Sequence, residues 1–217
     1  MSLRGLDEET EAMLCRQLYL AQMEGGRFSD ARMVAEQMVA IGVMPDVARQ
    51  DAARACLGEG DESAALSHLR IASRVCPASR RAFHLWTLGS VLYLMGRSEQ
   101  AVGAFSRALR WGTTEKPLYA AQLELAKRAH DDGGSVPLSE LREVLEDSPC
   151  GQGYGQFVLG ELAHRQGDFE AARSYLERFI NRSKGGRLAL EVALRGEIRR
   201  AESLLAELDN TAQVAEV

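Results

Sequence analysis

The sequence predicts an all-α fold of repeated antiparallel helix pairs, and three observations predict it. A glycine followed five residues later by an alanine recurs at Gly26/Ala31, Gly60/Ala65, Gly96/Ala101 and Gly167/Ala172, with steps of 34, 36 and 71 residues between the alanines. The last step is about twice the others, so one copy is degenerate rather than missing. Apolar residues flank the pairs at helical spacing, most clearly Leu85, Leu88 and Leu92 before Gly96 and Ala101, Phe105 and Ala108 after it. Glycine and proline punctuate the segments, at Gly25-Gly26, Gly42 with Pro45, Gly58 with Gly60, Pro77, and Gly112 with Pro117.

Taken in order, the N-terminus over 1–9 is expected to fray, with 1–3 read as a remnant of cloning. Asp7, Glu8, Glu9 and Glu11 open a helix to about Glu24, their charge complementing its positive end. A partner helix from about Ser29 to Ile41 completes a unit over 11–45. The second unit, 46–79, pairs a helix to Leu57 with one from Ser63 to Val75. The third, 82–115, is the cleanest: Gly89, Ala101 and Ala108 remove bulk where its helices must approach to about 8–10 Å. The fourth, 117–150, is the degenerate copy, with a long loop through Asp131–Ser135 and a second helix from Pro137 to Glu146. The fifth, 153–184, restores the pattern with Leu159, Gly160, Ala163, Ala172, Leu176 and Phe179. A final helix over 187–208, with Leu190, Leu194, Ile198, Ala201, Leu205 and Leu208 on one face, reads as a solvating cap, and 209–217 as a loose tail. Residues 10–208 thus read as one domain.

In Leu88, Gly89, Ala101, Phe105 and Ala108 the third unit resembles a tetratricopeptide repeat (TPR). The resemblance implies a superhelical solenoid of antiparallel helix pairs whose concave groove, lined mainly by the first helix of each pair, holds a peptide. Registered on Leu88-Gly89, the family pattern would put its tryptophan and tyrosine at Leu85 and Leu92, but here the aromatics come one residue later. At about 100° per residue, Phe83, Trp86, Ser90 and Tyr93 form a second stripe roughly 130° from the core stripe, toward the groove. Tyr154, Phe157, Glu161, His164 and Arg165 repeat this geometry, so two aromatic patches are expected to face one hollow. Aromatics anchor interfaces at low rotamer cost, and the same side chains also serve packing between repeats. Arg16 and Arg54, on the equivalent faces of the first two units, could pair with a ligand carboxylate. The Lys/Asn clamp of chaperone-binding TPR proteins is unmatched at these positions.

No catalytic set emerges. Cys150 before Gly151–Gly155, with His164 downstream, lacks a third orienting residue, and the same glycines lack the Lys-Ser/Thr pair of a phosphate loop. His68, His84, His130 and His164 are not spaced as metal ligands, and no cofactor is expected. The net charge of −5 argues against a general nucleic-acid binder, although bases outnumber acids from Arg178 to Arg200, read as a solvated helix face. Four cysteines without CxxC spacing read as reduced, packed thiols, and no apolar run spans a bilayer. The expected role is a non-enzymatic scaffold or adaptor in a bacterial cytoplasm, binding a protein partner in its groove, chaperone-like in one version. Self-assembly as a homo-oligomer, through an exposed repeat face or the last helix, is the alternative, as is a regulatory subunit of an enzyme or transcription factor.

Overall fold

The computed structural model describes residues 7–131 and 133–215, with side chains through 211. Among them are helices and no strand. They pair as α1 (Glu8–Glu24) with α2 (Phe28–Ile41), α3 (Pro45–Glu59) with α4 (Glu62–Val75), α5 (Ala78–Leu94) with α6 (Ser98–Trp111), α7 (Lys116–Asp131) with α8 (Leu138–Glu146), and α9 (Gly155–Gln166) with α10 (Phe169–Lys184). A short 3-10 turn (Pro149–Gly151) precedes α9, and α11 (Leu188–Ala193) and α12 (Arg195–Ala215) close the chain. The all-α expectation holds.

The glycine of each Gly/Ala pair ends a first helix in the left-handed region: φ is 68° at Gly26, 84° at Gly60, 71° at Gly96 and 77° at Gly167. Asp61 and Asp168, directly after two of these glycines, cap α4 and α10 by accepting from the amides of Ala64 and Ala171. In the degenerate unit Pro137 stands at the alanine's phase and caps α8 from outside, so the first turn of that helix is replaced by loop. Buried Glu124 of α7 holds the loop instead, accepting from the amides of Ser135 and Val136 at 2.9 and 3.4 Å and from Lys127 and Arg128. Burial would raise the Glu124 carboxyl; these donors outweigh it and hold it below its ordinary range.

The chain divides into two compact units. Unit 1 runs through His84 and includes Arg187–Ala193; unit 2 comprises Leu85–Gly186 and the chain from Leu194. The core of unit 1 gathers Cys15, Tyr19 and Met23 of α1, Ala31, Ala35 and Met38 of α2, and Ala48, Ala52 and Ala55 of α3, with Val192 of α11. Small residues let these helices close on one another. In unit 2 glycine does the same: a Cβ on Gly89 would lie 2.7 Å from the Phe105 ring, and one on Gly160 2.5 Å from Leu176.

Where one helix is expected over 187–208, there are two, interrupted at Leu194. Val192 is drawn into the α1/α3 core of unit 1, whereas Ile198, Ala201, Leu204 and Leu208 are buried in unit 2, where α12 packs on α10 and α9. The change of surface rotates the stripe: Leu190, expected on it, is 44% exposed, and Leu204 rather than Leu205 is fully buried. The helix continues to Ala215, past the expected end at 208, and at the other end Asp7 caps α1. Residues 1–6, including the expected cloning remnant, and 216–217 lie outside the described residues.

Candidate functional site

First-helix side chains that turn away from the intra-pair core meet their counterparts one repeat along. In unit 1, Asp46 of α3 accepts from Arg80 Nε and Nη2 at 2.7 and 2.9 Å. His84 Nε2 lies 2.9 Å from Asp46, and its Nδ1 lies 3.1 Å from the Gln50 amide. Burial pushes the Asp46 carboxyl up, but the Arg80 and His84 hydrogen bonds win and hold it below its ordinary range. For His84 burial wins over the pull of Asp46, and the imidazole is shifted toward its neutral form. One turn further on α3, buried Asp51 accepts from Arg16 Nε of α1 at 3.3 Å and Arg54 at 3.4 Å. Here burial raises the carboxyl despite both arginines.

Unit 2 repeats this design with aromatics. Trp86 Nε1 of α5 donates to Gln122 Oε1 of α7. The Gln122 amide donates onward to Ser90 Oγ at 3.4 Å and Tyr154 Oη at 3.2 Å. Tyr154 Oη in turn donates to Glu197 of α12 at 3.0 Å. The Tyr154 ring stands edge-on to Trp86 at 4.8 Å and against Phe157 at 5.9 Å, so the two aromatic patches separated in the sequence reading touch each other. A second cluster lies along the same helices. Tyr93 Oη of α5 donates to Glu161 Oε1 of α9 at 3.3 Å, Arg200 Nε of α12 donates to the same oxygen at 3.2 Å, and exposed Arg165 donates to Tyr93 Oη.

Nine of the ten expected groove residues therefore fall into two sets. Arg16, Arg54 and Phe83 belong to unit 1, the first two holding Asp51 and Phe83 being 39% exposed beside the His84 ring. Trp86, Ser90, Tyr93, Tyr154, Phe157 and Glu161 converge in unit 2, with Phe157, Ser90 and Glu161 buried. His164 stands apart at the end of α9, its ring against Phe169 and 3.6 Å from Glu207 of α12. Cys150 instead neighbours Ser148, Sγ to Oγ 3.0 Å.

Sequence reasoning missed Asp46, Asp51, His84, Gln122, Glu197 and Arg200. A signal for Gln122 was present. Arg16, Gln50, Trp86, Gln122 and Phe157 each stand fifteen residues before Ala31, Ala65, Ala101, Pro137 and Ala172. Taking Pro137 as the phase of the degenerate unit would have aligned Gln122 with Trp86.

Two carboxylates, Glu161 of α9 and Glu197 of α12, are buried where these helices meet. Glu161 is fully buried and its Oε2 has no hydrogen-bond partner. Burial raises its carboxyl against the pull of Arg200, Arg165 and Tyr93. Glu197 is pushed up to about 7, by burial first and by the nearby Glu161 charge, with its own backbone amide and Tyr154 opposing. Among the described residues, no group of three or more His, Cys, Asp or Glu side chains is placed to hold a metal ion. No helix among them is long and apolar enough to cross a membrane.

A family profile described as the tetratricopeptide repeat matches residues 154–184, the fifth helix pair. Among solved structures, PilF of Pseudomonas aeruginosa is 20% identical with a TM-score of 0.57, the match covering 94% of this chain and 93% of that one. The nearly identical TPR-like repeats of a putative kinesin light chain from Podospora anserina are 14% identical with a TM-score of 0.47, covering 96% of each chain. No curated protein matches. TPR folds present surfaces that serve protein–protein interaction. The fifth helix pair thus carries a recognised tetratricopeptide repeat, and the helix pairs around it have a fold similar to that of PilF.

Proposed function

We propose that this protein is a non-enzymatic scaffold that takes up a segment of a protein partner on the first-helix face of its repeats. One observation carries the reading: the first-helix residues off the core stripe in unit 2 already receive a helix, with Tyr154 donating to Glu197 and Arg200 donating to Glu161. A face with hydrogen bonds for one amphipathic helix has the chemistry to receive another. The bacterial, cytoplasmic setting belongs to the same proposal: the four cysteines, none paired with another, support a reducing compartment, and the similarity to PilF of Pseudomonas aeruginosa supports a bacterial one.

The test must avoid Trp86 and Tyr93, which belong to the packing. A photo-crosslinking amino acid at Phe83 or Arg165, both exposed on first helices, is compared with one at exposed Val144 on second helix α8. One partner captured covalently at Phe83 or Arg165 and absent at Val144 supports the reading. Capture at Val144 alone, or at none of the three, refutes it.

A second reading is favoured by α1, which exposes Met13, Leu14 and Leu18 at 67, 47 and 50% on one side. Such a cluster fits self-association of the chain. The last helix does not offer that surface, since Ile198 is buried in unit 2. Light scattering decides: a dimer that dissociates on Met13→Glu with Leu18→Glu favours assembly, and a monomeric wild type rules it out.

A further inference from the structure

The contacts of α12 divide along its length. Its later turns pack Ala201, Leu204 and Leu208 as an ordinary apolar stripe on α10 and α9. Its first turns are different: Glu197 and Arg200 are fitted to Tyr154 and Glu161, side chains of the first-helix face itself. That fit is imperfect. Two buried carboxylates lie near one another, Arg200 is shared between Glu161 at 3.2 Å and Glu207 at 4.0 Å, and Glu161 Oε2 is left without a donor. A purely structural cap could satisfy the same face with uncharged residues, because a buried charge without a full set of partners weakens an interface. The surrounding charged and titratable groups do not repair it. Arg165 of α9 donates to Tyr93 of α5, while α10 directs Arg173 to Asp209 and Lys184 to Glu202, further along α12.

We propose that α12 is an intramolecular stand-in for the partner: it occupies the docking surface on unit 2 until an amphipathic helix from another protein displaces it. The proposal rests on the binding reading above and adds the chemistry of the partner. That helix carries apolar residues at the spacing of Ile198, Ala201, Leu204 and Leu208. It carries an arginine where α12 has Arg200, and an uncharged acceptor such as glutamine where α12 has Glu197. The substitution removes the carboxylate repulsion and keeps the hydrogen bond from Tyr154, which gives the incoming helix its advantage over α12. Chain continuity through the break at Leu194 keeps the displaced helix tethered to the protein. The tether raises the local concentration of α12, so the competition is reversible.

The test uses the full chain at pH 8 and, as probe, a fluorescein-labelled synthetic peptide of residues 195–215 carrying Glu197→Gln. Leu204→Asp, placed in the buried stripe of α12 and not on the surface beneath it, should free the site and tighten peptide binding at least tenfold over wild type. Glu197→Gln in the chain should seat α12 more firmly and weaken peptide binding several-fold. If Leu204→Asp prevents folding, the Glu197→Gln chain, which changes only a charge, decides alone. Equal peptide affinity in wild type and Glu197→Gln overturns the proposal. It does so even where crosslinks at Phe83 and Arg165 report a partner, so the two readings fail separately.

Discussion

Replacing Glu197 by glutamine should make this protein more stable at alkaline pH and leave it nearly unchanged in acid. The carboxyl is 5% exposed, and its folded-state value of about 7 stands against an ordinary 4.5. Because the folded protein holds this proton more tightly than the unfolded chain, the contribution of Glu197 is complete below about pH 4.5 and is lost as pH rises to about 7. At about 1.4 kcal/mol per unit, the loss amounts to about 3 kcal/mol above pH 7. Glutamine keeps the shape and an acceptor for Tyr154 but carries no charge to bury. The assay is urea unfolding of wild type and Glu197→Gln at pH 4.5, 6 and 8.5, followed by the fluorescence of Trp86 and Trp111, which both lie in unit 2. Subtracting one curve from the other cancels the other titrating groups. A stability difference that stays constant across this range would show that Glu197 is ionised and well solvated in the native state, and the account of the α12 interface would fail with it.

Other perturbations isolate other parts of the structure. Gly160→Ala places a methyl 2.5 Å from buried Leu176 and should cost about 1–2 kcal/mol after the gain in helix propensity, whereas Gly103→Ala, with nothing within 4 Å, should stabilise by up to about 1 kcal/mol. Thermal melts of the pair check the sign of each. Gln122→Leu removes the acceptor for Trp86 and the donor to Tyr154 at once, so a loss of about 2–3 kcal/mol is expected, with a shift in tryptophan emission; an unaltered spectrum contradicts the hydrogen bond. Asp46→Asn should destabilise by about 1–3 kcal/mol near neutrality. Since the Asp46 carboxyl lies below its ordinary range, its contribution is present at neutral pH and fades on acidification, so wild type and variant should converge in strong acid. Urea titrations at pH 3 and 7 measure the convergence.

The helix pairs were legible because the rules that make them are local. A left-handed glycine, an aspartate cap and an apolar stripe each announce themselves within a few residues, as at Gly167, Asp168 and Ala172. The fourth pair was harder for a related reason. Pro137 took the alanine's phase and removed a helical turn, and the compensating contact from Glu124 comes from the preceding helix. The division of the last helix was not legible at all. The sequence around Leu194 continues an amphipathic pattern, and the break follows from Val192 and Ile198 burying in different units.

The candidate site illustrates a harder limit. Helical geometry turns Trp86, Tyr93 and Glu161 away from the core stripe, but a direction from one helix does not say what waits in that direction. In a stacked array the answer is set by the residue at the same phase one repeat later, here Gln122 for Trp86, and by any helix that returns over the face, here α12 for Glu161. Polar residues suit both tasks. Unsatisfied they would penalise burial, so they select neighbours by hydrogen-bond geometry. Partner side chains are therefore better sought where the repeat-to-repeat bonds end than at the largest aromatic. In unit 2 they end at Glu161, whose buried Oε2 lacks a donor, and at Glu197, whose buried carboxyl holds its proton toward neutral pH.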